Sequence, residues 1–182
     1  MNDKVGQIET FITFLAMTSA PLSVPPHQPK GPIAIMRADL QTVSFYRYLY
    51  NTIGADYMWW ERRIMSDDAL SAVILDDNVD VYVLYVGGTP AGYYELLSIP
   101  ENNDMEIAYF GIMPEFVGVG YGAYLLRVAI DEAWQRGPDR VIVNTCTLDH
   151  PTALPNYQRA GFEPYNQETR MIDDPHKLGL FD

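Results

Sequence analysis

The stretch Val117-Gly118-Val119-Gly120-Tyr121-Gly122 has the residue types and spacing to bind a phosphate group. Glycines at alternate positions let the backbone approach a ligand closely. After them, Leu125, Leu126, Ala129, Ile130 and Ala133 recur at helical spacing, with Arg127, Asp131 and Gln135 between. The start of such a helix offers unpaired N–H groups and the positive end of its dipole. Together these features describe a pyrophosphate cradle. A P-loop is disfavoured, because no lysine follows the glycines. A dinucleotide fingerprint is disfavoured too, because the third glycine comes one residue early. What remains is x-x-x-Gly-x-Gly/Ala ahead of an amphipathic helix, with close strand–helix packing as the other use of these glycines.

The elements that must hold this loop can be read on either side. Glu106-Ile107-Ala108-Tyr109-Phe110-Gly111-Ile112 predicts a strand leading into it, and Arg140-Val141-Ile142-Val143-Asn144-Thr145 a strand after its helix. His150 to Phe162 reads as a short helix closed by Gly161, with Phe162 opening a further strand. Upstream, Gln7 to Thr18 alternates as a strand, and Ser19 to Pro32, with five prolines, reads as an extended linker. Ile33 to Met36 is a short strand, and Asp39 can cap a helix through Val43 to Leu49. Tyr57 to Arg63 looks helical, and Ser66-Asp67-Asp68 starts another helix carrying Leu70, Val73 and Ile74. Val81 to Val86 and Ala91 to Leu97 form a hairpin about Gly87-Gly88-Thr89-Pro90; Pro100 to Asp104 turns the chain again, so Glu106 to Ile112 returns antiparallel. The order predicts an α/β fold, a mixed, mostly antiparallel central sheet with helices on both faces, in one domain over 1–182 whose residues 1–32 hold the first strand and the linker.

The order acidic strand, glycine turn, helix, strand and Ala-x-x-x-Tyr-x-x-x-Gly-Phe resembles the GNAT superfamily of acetyl-CoA-dependent N-acetyltransferases over roughly 105–163. The string Thr145-Cys146-Thr147-Leu148-Asp149-His150-Pro151 also looks like one bacterial branch of that superfamily. The resemblance implies acetyl-CoA as cofactor, with its pyrophosphate held by backbone N–H groups of Val119, Gly120, Gly122 and Ala123. Val117 stands where the family usually has Gln or Arg, so this loop relies on its backbone. The resemblance further implies that the pantetheine arm pairs with Phe110 and Ile112 like an added strand, and that the Phe110 N–H faces the thioester carbonyl as an oxyanion donor. It casts Glu106 as the base that takes a proton from the amine, with Glu95 in reserve, and Tyr157 as the acid that protonates the departing thiolate. His150 falls where the family often has an asparagine touching the pantetheine arm; a turn or cap role beside Pro151 is the other reading.

The acceptor side is expected from the aromatic and basic concentration Phe45 to Arg63, with Trp59 and Arg63 as candidate substrate contacts and Tyr94 added from the hairpin. Aromatic faces can hold a cation and arginine a carboxylate, and most such rings pack in cores. The activity implied is transfer of an acetyl group to a primary amine by direct attack in a ternary complex. A catalytically altered acyl-CoA-binding module of the same fold is the alternative, and a protein using the glycine turn for another pyrophosphate is a third.

The chain has 182 residues, enough for one sizeable core, and a net charge of −12 from 24 acidic and 12 basic residues. That balance argues against nucleic acid as a partner and is compatible with a cationic amine, small-molecule or peptide. The single cysteine, Cys146, excludes an intramolecular disulfide and reads as an apolar residue near a strand. Three histidines and one cysteine, widely separated, give no metal-site spacing. No run reaches the ~18 apolar residues that span a membrane, and no signal peptide is evident. The expectation is a cytoplasmic protein, and the resemblance adds a homodimer, as family members often form.

Overall fold

The computed structural model describes residues 6–181; the expected domain bounds, 1 and 182, lie outside them. Seven strands form one mixed sheet in the order β2-β3-β4-β5-β6-β1-β7. They are β1 (Gln7–Met17), β2 (Ile33–Arg37), β3 (Val79–Val86), β4 (Thr89–Ile99), β5 (Asp104–Ile112), β6 (Arg140–Cys146) and β7 (Glu163–Asp173). Helices α1 (Val43–Gly54) and α2 (Asp67–Ile74) cover one face, and α3 (Tyr121–Gln135) and α4 (Ala153–Ala160) the other. All pairings are antiparallel except β5 with β6.

Strand alternation explains the two layers. On β3, Val81 and Val83 pack under α1 and α2, while Leu84 packs under α3. The helices meet them with side chains at three- and four-residue spacing: Tyr46, Leu49, Tyr50 and Ile53 from α1, and Leu125, Leu126, Ala129, Ile130 and Ala133 from α3. Each large buried side chain contributes about 1.5–3 kcal/mol through burial. Helix α1 is capped by Thr42, whose Oγ1 accepts the Phe45 N–H at 3.3 Å, and α2 by Ser66, whose Oγ accepts the Ala69 N–H at 3.2 Å. Asp39 is therefore not the cap expected from sequence; it lies exposed beside Arg37.

The expected helix over Tyr57–Arg63 is also corrected. A single 3-10 turn, Ala55–Tyr57, ends at Met58, whose φ of 51° is left-handed and stops the helix. The loop after it makes a few backbone turns, Arg63 N–H to Trp60 O among them, and is held further by arginine side chains. Arg47 donates to the carbonyls of Arg62 and Met65, and Arg63 to those of Trp59 and Asn51.

Two irregularities shape the centre of the sheet. First, β5 pairs with β6 only over Asp104–Glu106, where Arg140 grips the buried Asp104 carboxylate. Beyond that the pairing stops, and the edge of β5 stays open to Ile112. Second, the β4–β5 register slips at Ala108, between the pairs Glu95↔Tyr109 and Leu96↔Ile107. The bulge turns Ile107 into the α3 side and Tyr109 into the α1 side. The first strand lies between β6 and β7, antiparallel to both, so the two ends of the described chain meet beside the opening.

Candidate functional site

The opening between β5 and β6 leads into a cavity of about 1210 Å³ that passes from the α3 and α4 side to the α1 side. Its wall includes Glu106, Phe110, Ile112, Val117, Gly120, Gly122, Ala123, His150, Tyr157 and Trp59. The chain thus gathers most of the residues singled out from sequence around one space. Val119 is not on the wall; its side chain points to solvent.

The glycine loop is built as a cradle. Gly118 and Gly120 have φ values of 85° and 97°, which only glycine adopts without strain, and Gly120 begins α3 with no side-chain cap. The first N–H to bond backward is that of Tyr124, to the Gly120 carbonyl at 3.4 Å; those of Gly118 to Ala123 have no backbone acceptor among the described residues. Close packing does not account for Gly122. A Cβ there would meet only Ile112 Cγ1, at an ordinary 3.7 Å, and its φ is not left-handed. Gly111 is the contrast: a Cβ there would strike Ile53 Cγ2 at 2.2 Å. The open space in front of Gly122 and the unpaired N–H groups fit an anionic phosphate group.

Just past the end of β5, the Met113 N–H donates to Ala91 O on β4 at 2.9 Å. Strand alternation then turns the backbone groups of Phe110 and Ile112 the other way, toward the opening. An extended ligand arm can pair there.

Tyr157 comes from α4, closed by Gly161 at φ 108°, and its ring packs edge-on against Phe162. Burial first, and then the Asp149 carboxylate, push its phenol well above the ordinary value, so it stays protonated. Glu106 accepts from Asn144 Nδ2 at 3.1 Å. Burial raises its carboxyl above the usual range; the Asn144 bond lowers it and the Glu95 charge raises it again. In His150, Nδ1 accepts the Thr152 N–H at 3.1 Å, which leaves the proton of the neutral ring on Nε2. Its ring meets Tyr57 edge-on.

Several expectations need correction. Tyr94 is fully buried under α3, stacked on Tyr82, and does not reach the cavity. Arg63 is absent from the wall as well: its guanidinium serves two carbonyls and lies over the Phe181 ring at 4.4 Å. Glu95, the reserve base, is 1% exposed and fully engaged, accepting from Tyr46 Oη at 2.6 Å and Arg62 Nη2 at 2.9 Å. Cys146 lies on the cavity wall, with burial, and then Asp149, raising its thiol.

Sequence reasoning missed Asp149. It accepts from Thr145 Oγ1 at 2.8 Å, the Cys146 N–H at 2.9 Å and Trp59 Nε1 at 3.3 Å, tying the turn after β6 to the loop after α1. It also missed Glu61, which accepts from Tyr109 Oη at 2.9 Å. Only the Asp-His-Pro turn hinted at the first, and nothing local marked the second.

Comparison with known proteins bears on the family and the fold. The model of the acetyltransferase (GNAT) family matches residues 42–162, more than half of the chain. No curated protein matches the sequence. Among solved structures, a conserved protein of unknown function from Staphylococcus epidermidis superposes with a TM-score of 0.65 at 16% identity, over 91% of this chain and 62% of the other. A GCN5-related N-acetyltransferase from Kribbella flavida gives 0.60 at 18% identity, over 93% and 60%. An aminoglycoside acetyltransferase from an uncultured soil metagenomic sample gives 0.59 at 16% identity, over 71% and 87%. At these identities the likeness is one of fold. The chain spans less than two thirds of the length of the first two structures.

Proposed function

The chain belongs to the acetyltransferase (GNAT) family, and from that membership we propose that it transfers an acetyl group from acetyl-CoA to a primary amine by direct attack in a ternary complex. The observation that carries the reading is the convergence of Glu106, Tyr157, the open edge of β5 and the glycine cradle on one cavity. The space in front of Gly122 and the free N–H groups before Tyr124 suit the cofactor's pyrophosphate. When bound, acetyl-CoA supplies an acetyl group activated as a thioester.

The chain's own residues do the rest. Val119, Gly120, Gly122 and Ala123 hold the phosphates through backbone N–H groups, and Val117 adds no side-chain donor. Phe110 and Ile112 align the pantetheine arm, and the Phe110 N–H faces the carbonyl oxygen on which negative charge develops. His150 lies along the same path. Glu106 takes the proton that the incoming ammonium must lose, and its raised carboxyl matches that task better than an ordinary glutamate. Tyr157 keeps its proton at neutral pH and gives it to the departing sulfur. Trp59 lines the acceptor half.

The test is thiol release from acetyl-CoA across an amine panel, for the wild type and for Tyr157→Phe. The variant should lose kcat by about a hundredfold, more than its KM for acetyl-CoA rises. An unchanged kcat removes Tyr157 from the mechanism.

A further inference from the structure

The acceptor half of the cavity carries three carboxylates without a cationic partner. Glu61, Glu106 and Asp149 line it, and none takes part in an ion pair among the described residues. Their partners are neutral donors: Tyr109 Oη, Asn144 Nδ2, and the Thr145, Cys146 and Trp59 groups on Asp149. The buried carboxylates elsewhere are matched with arginine: Asp80 with Arg37 and Arg136, Glu95 with Arg62, and Asp104 with Arg140. The arginines that do reach the wall are already engaged. Arg127 pairs with Asp131, Arg170 with Glu168, and Arg159 donates to Asn156 on its own helix.

The three carboxylates do not converge on a point, since no group of three metal-ligating side chains among the described residues is close enough to hold one ion. They are spread along a wall of rings, Tyr50, Tyr57, Trp59, Trp60 and Tyr109. An extended cation fits this pattern and a single ion does not. Glu61 is the free anchor: it is exposed and makes one hydrogen bond, whereas both oxygens of Asp149 are occupied. Its partner Tyr109 stands three residues beyond Glu106 on β5, past the bulge at Ala108.

Resting on the acetyl-transfer reading above, we infer that the acceptor is a small oligoamine: one amino group reacts beside Glu106 while a second ammonium is held by the Glu61 carboxylate on the same wall. A monoamine leaves Glu61 unneutralised. The acetylated nitrogen loses its charge, which weakens the hold of the product at Glu106 while Glu61 keeps its grip.

The test uses linear α,ω-diamines of increasing length, each beside the n-alkyl monoamine of equal length. Binding is measured by calorimetry on the full chain and on Glu61→Gln, and thiol release from acetyl-CoA is followed in parallel. The wild type should bind the best diamine at least tenfold more tightly than its monoamine, with an optimum length and a loss of preference at high salt. Glu61→Gln, a change at an exposed side chain, should bring that ratio close to one. Equal binding of diamines and monoamines overturns the inference, as does a ratio that survives in Glu61→Gln or a lysine-bearing peptide that outcompetes every diamine. Failure of the transferase reading looks different: diamine binding persists, but no amine elicits thiol release.

Discussion

At the scale of single residues, Glu106 and Tyr157 are opposites in charge state. Burial holds Tyr157 as a phenol and lifts the Glu106 carboxyl toward the range where it can exchange protons with an amine. Two consequences follow for Glu106. As the proposed base it acts in its ionised form, so the rate should fall as pH drops through its raised value, and Glu106→Gln should alter that acidic limb; a profile identical to wild type points to deprotonation by solvent. The same shift bears on stability with the opposite sign to an ordinary salt-bridged acid. A carboxyl raised on folding binds its proton more tightly in the native state, so the wild type loses stability as pH rises from the unfolded value through the folded one. Glu106→Gln should therefore melt at or above the wild-type temperature at neutral pH and converge with it in acid. A variant that melts far below wild type at neutral pH contradicts this. Both residues stood out in the sequence by position in a motif. Asp149 and Glu61 did not, because their roles arise from contacts across 90 and 48 residues, to Trp59 and Tyr109.

At the scale of elements, the glycine turn ahead of α3 was the most legible part. Gly118 and Gly120 are there for backbone conformation, whereas Gly122 is there for empty space. Replacing Gly122 by Leu should leave the melting temperature unchanged or slightly higher, since leucine is the better helix former by something under ~1 kcal/mol. It should weaken acetyl-CoA binding at least tenfold; undiminished affinity would place the pyrophosphate elsewhere. Val117 is half exposed on the cavity wall, so Val117→Gln adds a donor at little structural cost and should tighten acetyl-CoA about threefold to tenfold, as one net hydrogen bond does. The loop after α1 was misread as helix because Tyr57 to Arg63 has helical composition. What decides it is the left-handed Met58 and carbonyls satisfied by distant guanidinium groups, neither of which leaves a local pattern. The strand β5 was read correctly as a strand, but its bulge at Ala108, which sends Tyr109 to the α1 side, was invisible.

At the scale of the molecule, the sheet is a frame parted along one seam. Pairing of β5 and β6 at Asp104–Glu106 fixes the base of the opening, and the absence of pairing beyond it makes the cavity. Mixed strand direction and helices on both faces followed from the order of elements. The place of β1 did not, since a strand read locally carries no address; only the structure sets it between β6 and β7, where Thr10, Ile12 and Phe14 complete the wall. The buried Glu95–Arg62 pair lies behind that wall, with Arg62 over the Tyr109 ring at 5.2 Å and its N–H on Tyr50 Oη. Arg62→Met leaves Glu95 buried and unpaired and should cost about 3–5 kcal/mol of stability, read in denaturant unfolding; a loss under about 1 kcal/mol shows that Tyr46 alone satisfies the carboxylate.

The central proposal is that this cavity binds acetyl-CoA and gives its acetyl group to an amine. The most direct test is continuous measurement of thiol released from acetyl-CoA by the purified chain, with and without a linear diamine. Release that depends on both the amine and the phenol of Tyr157 is the predicted result. Saturable binding of acetyl-CoA with no amine-dependent release would contradict the claim and leave a binding protein built on the same fold.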